Sequence, residues 1–374
     1  MRIFIEADSV AMDKMSGIGH TTLEILNSLD RKANELKLDI VAIVPFGKRK
    51  IIKTRYNWKN IRIKQLPPGY KYVNYALTRT SLPIPVDLYF GMGIYVFPNY
   101  KTWYTPFSKS YTFIDDIAFK LFPQTTQPQN FKYLTVNFDR WLKRATQFVS
   151  ISNQSKNEVQ KAFPITEGKI KTIYLGVDPD EYHPKSQSES DSVVEKYGLN
   201  RNYILSVGNL EPRKNIMNLL EGYRLFSDNH RVAPQLVLVG GEGWKDEETL
   251  IKIQSMLEAG YDIYRPSKYV VDADLPALYS GAKALVHLAI HEGFGLPPLQ
   301  SQACGVPVLV SDIPVFHETL NPKYSVYVKS SDVKKITIGL ESVLKLNHPY
   351  KSVAKKELTW DNTTENLLKY TGIM

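Results

Sequence analysis

Short β-rich runs alternate with helical segments along the whole chain, and this alternation constrains the fold more than any other feature. In the first half, Arg2–Glu6 (RIFIE) and Asp39–Val44 (DIVAIV) flank a segment whose apolar residues recur at helical spacing. The second half repeats this arrangement from Tyr203–Val207 (YILSV) to 235–240 (QLVLVG). Strand–helix–strand units place their strands side by side, so the sequence predicts an α/β protein with a mostly parallel sheet in each half. Four further β-rich runs lie at 111–114, 147–151, 284–288 and 307–311.

The chain is long enough for two domains. At 374 residues it exceeds the size at which one hydrophobic core stops growing, and a prior of roughly 150 residues per domain favours two. The segment 176–200 is polar, contains proline and shows no periodicity, so we place a linker there. We expect domains at 1–176 and 200–357 with a cleft between them, because open parallel sheets present ligands at such places.

Composition narrows the class of protein further. Hydrophobic residues make up 43% of the chain and charged residues 23%, which is ordinary for a globular protein and excludes a disordered or collagen-like chain. The single cysteine, Cys304, excludes an internal disulfide, and we expect it in the core rather than acting as a nucleophile. The sequence contains neither an apolar run of roughly 18 residues nor a secretory signal. We therefore expect a cytoplasmic protein.

Charge is unevenly distributed. Residues 1–180 contain 26 Lys and Arg against 15 Asp and Glu, a net charge of +11, although the whole chain carries only +9. Much of the excess lies in 48–64 (KRKIIKTRYNWKNIRIK), which has eight basic residues, no acidic residue, and Tyr56 and Trp58 between them. One interpretation is a solvated basic loop and strand edge; another is a surface for anionic lipid at the inner membrane face, or for a phosphorylated acceptor. We expect no nucleic acid, because no recognised nucleic-acid module accompanies the segment.

A glycine pair, Gly17 and Gly19, lies between the first strand and the first helix. Glycines there allow backbone N–H groups to approach an anion at the positive end of a helix. The pair is a weak dinucleotide motif, because Thr22 stands where the third glycine would be. A tight turn and a loop facing phosphate or substrate both remain open.

The second half has a corresponding loop, running from Gly208 and Asn209 to Arg213 and Lys214. Two adjacent cations at the start of a helix oppose its dipole, at a cost of about 0.3–1 kcal/mol each. A diphosphate between them would remove this conflict, because a guanidinium can bind two oxygens while an ammonium supplies a point charge. The alternative is a pair of surface cations neutralised by Glu211 or another acidic neighbour.

A third loop, 291–300 (HEGFGLPPLQ), follows a predicted strand and opens a helix, because prolines at 297 and 298 suit a first helical turn. Gly293 and Gly295 expose the backbone just ahead of that helix, which favours binding of an anion or a hydroxyl group. Glu292 and Gln300 are eight residues apart, so both could contact one elongated ligand.

These segments resemble those of a known family. The string EGFGLPPLQSQACGVPVLVSDIP resembles the signature of retaining family 4 glycosyltransferases of GT-B fold, and SVGNLEPRKNIMNLLEGY, LVLVGGEGWKDEE and DADLPALYSGAKALV resemble its flanking segments. In the first half the resemblance runs through SGIGHTTLEIL, FIDDIAFKLFP and SISNQSKNEV. It implies two Rossmann-like domains facing across a cleft, with a C-terminal helix at about 358–374 that crosses back to the first domain.

The resemblance also implies roles for individual residues. It implies that the second domain binds a nucleotide-diphosphate sugar and that the first binds the acceptor, a glycan or a lipid-linked glycan. Arg213 and Lys214 match cations that contact the donor diphosphate, and Glu292 matches a glutamate that contacts hydroxyls of the donor sugar. Three groups complete the donor site: the loop Gly293, Phe294, Gly295 and Leu296; the strand-end pair Gly208 and Asn209; and the closing loop with Gly17 and Gly19.

Two positions differ from the family pattern. Gln300 stands where a second glutamate usually contacts ribose hydroxyls. Charge-assisted hydrogen bonds are roughly twice as strong as neutral ones, so we expect the affinity for the donor to fall by about 1 kcal/mol. Asp115 and Asp116 stand where His-Asp is common, and an ionised carboxylate cannot donate a hydrogen bond to a sugar hydroxyl. Either aspartate could orient the acceptor or act as a base.

The implied reaction is hexosyl transfer with retention of configuration, without cofactor or metal, in cell-surface polysaccharide or glycolipid assembly. Cations and helix starts would stabilise the departing diphosphate. A non-catalytic GT-B protein that binds a nucleotide-sugar or a glycan is the alternative. We interpret Asp272 and Asp274 as helix caps rather than metal ligands, and we do not expect His287 and His291 to bind metal.

Overall fold

The computed structural model describes residues 2–12, 15–80, 83–241 and 243–374 of the chain. The strands are β1 Arg2–Glu6, β2 Asp39–Val44, β3 Ile61–Gln65, β4 Ile94–Phe97, β5 Lys109–Ile114, β6 Gln147–Ser150, β7 Ile170–Thr172, β8 Tyr203–Val207, β9 Gln235–Val239, β10 Ile263–Tyr264, β11 Ala284–His287, β12 Val308–Ser311 and β13 Ser325–Val328. The α-helices are α1 Gly17–Lys32, α2 Arg49–Tyr56, α3 Tyr70–Arg79, α4 Val86–Phe90, α5 Ala118–Leu121, α6 Pro128–Arg144, α7 Asn153–Ala162, α8 Gln187–Tyr197, α9 Ile216–Asp228, α10 Glu247–Glu258, α11 Leu275–Gly281, α12 Leu296–Ala303, α13 Pro314–Thr319, α14 Val333–Val343 and α15 Trp360–Thr371.

The chain divides into two compact units. Unit 1 contains the residues before Gln124 together with Pro128–Leu175 and Trp360–Met374, and unit 2 contains Gln124–Gln127 and Gly176–Thr359. Every strand pair in both sheets is parallel, so the predicted α/β class is confirmed. The strand order is β3-β2-β1-β4-β5-β6-β7 in unit 1 and β10-β9-β8-β11-β12-β13 in unit 2.

Helices bury the sheet of unit 1. In one cluster, Leu77 of α3 and Phe90 of α4 pack against Phe4 and Val41 of the sheet. The C-terminal helix α15 belongs to this unit and contacts α1. Ser28 donates a 2.6 Å hydrogen bond to Asp361. The crossing back of the last helix to the first domain, which the resemblance implied, is therefore confirmed. Among the described residues, no helix combines the length and apolar character that crossing a membrane requires.

The segment 176–200 differs from the expected linker, because helix α8 occupies Gln187–Tyr197 within unit 2. Ser186 and Glu189 form a capping box at its start: the Ser186 hydroxyl accepts from the Glu189 N–H, and the Glu189 carboxylate accepts from the Ser186 N–H. Helix α8 exposes most of its surface, so its sequence is mostly polar and lacks the apolar periodicity that predicts a helix. Gly281 of α11 packs close to it, since a Cβ there would lie 3.3 Å from Ser190 Cβ.

The basic segment 48–64 also differs from its sequence interpretation. It forms helix α2 and then β3, so the expected strand edge is confirmed, but the expected loop is largely helical. Tyr56 and Trp58 stack on each other with ring centroids 5.0 Å apart. Tyr56 donates to the Val10 carbonyl and Trp58 to the Asn27 side chain, both at 2.9 Å. These hydrogen bonds hold both aromatic side chains against unit 1.

Candidate functional site

The sheet of unit 2 changes strand order between β8 and β11. These strands are neighbours, but the chain continues from β8 to β9 on one side and from β11 to β12 on the other. The loops that follow β8 and β11 therefore leave the same sheet edge in opposite directions. Open α/β sheets bind ligands at such a point, beyond the carboxyl ends of the strands. All the donor-site residues predicted in the second half lie on these two loops or on α12.

Glycines shape the loop after β8. Gly208 follows the strand with a φ of +143°, and Gly240 follows β9 with a φ of +155°. A Cβ at Gly240 would lie 2.0 Å from the Gly208 carbonyl oxygen, so the two backbones touch where only glycine fits. The Asn209 side chain accepts a 3.1 Å hydrogen bond from the Gly241 N–H. This contact gives Asn209 a structural role, and its proposed donor contact stays a prediction.

Arg213 and Lys214 lie in a single 3₁₀ turn, Pro212–Lys214, that precedes α9. Asn215 then adopts a left-handed conformation, with a φ of 57°, and its side chain donates to the Ser330 carbonyl at 2.7 Å. The Arg213 carbonyl accepts from the Ile290 N–H at 2.9 Å, which joins this turn to the loop after β11. The two cations are therefore held on a backbone fixed at both ends.

Glu292 is the centre of a buried ion cluster. Its Oε1 atom lies 2.6 Å from Lys214 Nζ and 3.0 Å from His287 Nε2, and its Oε2 atom lies 3.2 Å from Arg213. Arg213 also donates to the His291 carbonyl and to the Glu211 carboxylate, both at 3.0 Å. Lys214 and Glu292, which are 78 residues apart in the sequence, are thus in direct contact.

The electrostatics of this cluster fix its protonation. Burial by itself would raise the pKa of Glu292, but Lys214, Arg213 and the His287 hydrogen bond outweigh burial and hold that pKa well below its usual value. Burial and the Lys214 charge lower the pKa of His287, and the hydrogen bond to Glu292 only partly offsets them. At neutral pH the cluster therefore contains a carboxylate, two cations and a neutral imidazole.

One step of the sequence argument is corrected by this geometry. The sequence placed Arg213 and Lys214 at the start of a helix and left open whether a diphosphate or acidic neighbours neutralise them. They lie ahead of α9, and the carboxylates of Glu211 and Glu292 compensate them. Acidic neighbours thus neutralise both cations, which are largely buried rather than on the surface, and contact of the two cations with a diphosphate stays a prediction. Sequence spacing could not reveal the Glu292 contacts because they join distant segments.

The loop after β11 is closely packed. Phe294 is buried, and Gly295 has a φ of +89° at the start of α12. A Cβ at Gly295 would lie 2.5 Å from Phe316 Cε1, so only glycine fits there. Helix α12 begins at Leu296 with Pro297 and Pro298 in its first turn, as predicted. Roles for Gly293, Phe294, Gly295 and Leu296 in donor binding stay predictions.

Gln300 lies within α12, and Cys304 follows the end of that helix. Gln300 Oε1 accepts a 3.1 Å hydrogen bond from the buried Tyr279 hydroxyl. Its amide nitrogen has no hydrogen bond within the described ranges, so it is available to a ligand. Cys304 is buried, and burial raises the pKa of its thiol to about 12. The expectation that Cys304 is a core residue is therefore confirmed.

Unit 1 places its candidates at the carboxyl end of its own sheet. Asp115 and Asp116 follow β5 directly. Burial, reinforced by the Asp116 charge, raises the pKa of Asp115 to about 7. Asp115 Oδ1 is buried and has no hydrogen-bond partner in the part of the chain that the structure describes. Asp116 accepts from the Ala118 N–H at 2.9 Å, so the two aspartates have different local roles.

The first glycine loop is supported by its neighbours. Ser16 caps α1 by accepting from the Gly19 N–H, although at 3.4 Å. A Cβ at Gly19 would lie 3.2 Å from the Ser9 carbonyl oxygen, whereas one at Gly17 would have nothing within 4 Å. Close packing thus explains Gly19 but not Gly17. Contact of either residue with a diphosphate stays a prediction.

Two minor sequence interpretations are also resolved. Asp274 occupies the position before α11, but its side chain makes no capping bond. It accepts instead from Lys196 at 2.6 Å and Tyr197 at 2.5 Å, so the interpretation of Asp274 as a helix cap was wrong. His287, which we considered only as a metal ligand, contacts Glu292 and is the functional candidate that sequence reasoning missed. The histidine five residues before the glutamate was visible, but nothing in the sequence showed their contact.

The sequence model of the family described as "Glycosyl transferases group 1" matches residues 188–360. O-antigen chain mannosyltransferase B of Escherichia coli is 30% identical over 288 residues, which cover 74% of each chain. O-antigen chain mannosyltransferase RfbU of Salmonella typhimurium is 30% identical over 210 residues, or 55% of this chain and 53% of that protein.

Solved structures agree in fold. Anabaena Alr3699/HepE, solved in complex with UDP-glucose, has a TM-score of 0.69 at 13% identity, with all of both chains covered. WaaG, a glycosyltransferase involved in lipopolysaccharide biosynthesis, has a TM-score of 0.62 at 12% identity, covering 99% of this chain and 95% of that one. At these identities the likeness concerns the fold alone.

Proposed function

Because this chain belongs to the group 1 glycosyl transferases, with the GT-B fold of family 4, we propose that it transfers a hexose from a nucleotide-diphosphate sugar to an acceptor hydroxyl with retention of anomeric configuration. The acceptor is a glycan or a lipid-linked glycan in the assembly of a cell-surface polysaccharide or glycolipid. The relatives named as O-antigen mannosyltransferases support this proposal and favour mannose as the sugar. The observation that carries it is the Glu292–Arg213–Lys214 cluster at the switch point of unit 2.

Lys214 is the residue of this cluster best suited to bind phosphate. An ammonium has three donors, and only the one directed at Glu292 is used within the described parts of the chain. Its side chain is 14% exposed, so an arriving phosphate would meet a cation that has already lost most of its water. Arg213 supplies the second charge, and Glu292 would contact hydroxyls of the sugar.

The roles of these residues in the reaction follow from the negative charge that develops on the leaving diphosphate. As the glycosidic bond breaks, negative charge builds on the leaving diphosphate, and preorganised cations stabilise it most in that state. We propose that Arg213, Lys214 and the N–H groups around Gly293 and Gly295 provide this stabilisation without a metal. The leaving phosphate would help to remove the acceptor proton, so no protein nucleophile is required.

The acceptor would bind to unit 1. Asp115 is the candidate for orienting its hydroxyl or accepting its proton, because a carboxyl with a pKa of about 7 is close to the ideal for proton exchange at neutral pH. We also propose that the exposed cations of α2, Arg49, Lys50 and Lys53, meet an anionic membrane surface where a lipid-linked acceptor resides. The protein would then be cytoplasmic and peripheral at the inner membrane face.

The proposal is tested with a panel of GDP-, UDP- and dTDP-sugars, GDP-mannose first. A donor must raise the melting temperature, because it binds only the folded state, and it must release nucleoside diphosphate when acceptor is present. Lys214→Met should abolish the shift, while Lys268→Met, at an exposed lysine of the same unit, should not. A shift without release in any acceptor extract favours the non-catalytic alternative. No shift with any donor refutes the proposal.

A further inference from the structure

His287 has no place in the function proposed above, yet the fold gives it a prominent position. It is the last residue of β11, in register with Val310 of β12, and only 3% of it is exposed. Its ring lies edge-on to Phe316, with centroids 5.9 Å apart. Phe316 in turn fills the space that a Cβ at Gly295 would occupy. The imidazole is thus held by a strand on one side and by a packed aromatic ring on the other.

The contact of His287 with Glu292 has a defined direction. A carboxylate can only accept hydrogen bonds, so the neutral imidazole must carry its proton on Nε2, the atom 3.0 Å from Glu292 Oε1. Lys214 Nζ binds the same oxygen at 2.6 Å, whereas Arg213 binds the other. Two donors on one oxygen leave the carboxylate little freedom to rotate.

The three donors around Glu292 differ in stiffness. Lys214 and Arg213 reach it with long side chains that lose about 2 kcal/mol of rotamer entropy when fixed. His287 has only two side-chain torsions and starts from a sheet strand, so it is the rigid member of the set. Removal of the imidazole would leave Glu292 held only by flexible side chains, which themselves would bind the ligand.

We propose that His287 is a positioning residue: it fixes the Glu292 carboxylate, and through it the Lys214 ammonium, in the arrangement that distinguishes a nucleotide sugar from the bare nucleoside diphosphate. The proposal rests on the proposed function for its ligand. It predicts that substitution of His287 weakens the discrimination between a nucleotide sugar and the bare nucleoside diphosphate but leaves the protein folded. A histidine that merely fills the core would change stability but would affect both ligands equally.

The binding test compares two substitutions. Glutamine at 287 keeps an N–H donor close to the position of Nε2, whereas leucine removes the donor and keeps most of the volume. We expect His287→Leu to reduce the ratio of GDP-mannose to GDP affinity about tenfold by calorimetric titration, equivalent to about 1.4 kcal/mol, and His287→Gln to keep it near the wild-type value. His348→Leu is the control, because the His348 ring also donates a single hydrogen bond, to the Lys283 carbonyl, and in the described part of the chain contacts no member of the Glu292 cluster. An unchanged ratio in His287→Leu, or equal losses in both variants, would overturn the proposal.

A second measurement does not depend on any nucleotide. In ¹⁵N-histidine NMR spectra, the resonance that disappears in His287→Gln should report a neutral ring protonated on Nε2 at neutral pH, because the pKa of His287 lies below its ordinary value. A ring protonated on Nδ1 could not donate to Glu292 and would overturn the proposal whether or not the protein binds nucleotides. If the wild type binds neither GDP nor UDP and their sugars, while this resonance is as expected, the proposed function fails and the positioning of Glu292 by His287 stands.

Discussion

Replacement of Glu292 by glutamine is the perturbation that the ion cluster makes most informative. The substitution keeps the shape of the side chain but removes the charge that Lys214 and Arg213 share. Breaking a buried pair by removal of one partner costs about 3–5 kcal/mol, because a charge is left buried and uncompensated. Glutamine can still accept one hydrogen bond, so we take about 3 kcal/mol, the lower end of that range.

This cost converts to a shift in melting temperature. Unit 2 spans Gly176–Thr359 with a short additional segment, and a loss of 1 kcal/mol lowers the melting temperature of a domain of that size by about 2–4 °C. We therefore expect differential scanning calorimetry to show the transition of unit 2 about 6–12 °C lower in Glu292→Gln, with that of unit 1 unchanged.

The control is Glu221→Gln. Glu221 also pairs with two cations, Arg224 and Lys252, but a third of its side chain is exposed, so its loss should cost less than about 1 kcal/mol. Glu292 has a depressed pKa, so its contribution exists above the unfolded value of 4.5 and disappears only as the pH falls through the lower folded pKa. The difference in melting temperature between wild type and Glu292→Gln should thus stay constant from neutral pH down to about 4.5 and narrow below it. Equal melting temperatures at neutral pH would refute the reasoning.

Gly240→Ala should lower the free energy of unfolding by at least about 2 kcal/mol in urea titrations, because its Cβ would clash with the Gly208 carbonyl, and an unchanged midpoint would contradict the close approach. Asp115→Asn should stabilise the protein increasingly as the pH rises from 3.8 to about 7, because the unfolded carboxyl ionises in this range while the folded one stays protonated; an equal difference at the two ends of this range would be inconsistent with this. Asp361→Ala should cost about 1 kcal/mol, because Asp361 accepts from Ser28 and Arg31, and proteolysis of the C-terminal helix should accelerate accordingly.

The strands that sequence reasoning found share one property: they are buried on both faces. Tyr203–Val207 and Asp39–Val44 read as continuous apolar runs and were predicted with the bounds that the structure gives. The strands that were missed include β10, with two residues at a sheet edge, and β13, whose side chains are mostly half-exposed. Such edge strands lack the apolar pattern that a sequence can reveal. Burial does not explain every miss, since the central strand β4 (IYVF) is buried along its whole length and was also not predicted.

Polar composition concealed two helices. Helix α8 was taken as linker and α2 as a basic loop, because both expose charged or polar side chains over most of their surface. For α8 a signal was present, since Ser186 followed three residues later by Glu189 is a capping box. For α2 no comparable signal exists, because no side chain caps its start.

The members of the candidate site were predictable, but their arrangement was not. Arg213, Lys214 and Glu292 were identified from loops that follow strands, and the parallel sheet brings those loops to one edge. That Glu292 would neutralise the cations depends on contacts between segments about 78 residues apart. That His287 would hold Glu292 depends on how the loop after β11 turns back on the end of its strand, although the two residues are only five apart. Local spacing contains no information about such contacts.

The most direct test of the account is the affinity of nucleoside diphosphate for the wild type and for Lys214→Met, measured by titration calorimetry with GDP and UDP. Loss of a charged donor to phosphate costs about 1.5–3 kcal/mol, so the variant should bind at least about tenfold more weakly, while Lys268→Met binds like the wild type. Equal affinities of Lys214→Met and the wild type for the diphosphate would contradict the central claim that Lys214 and its partners form the donor site.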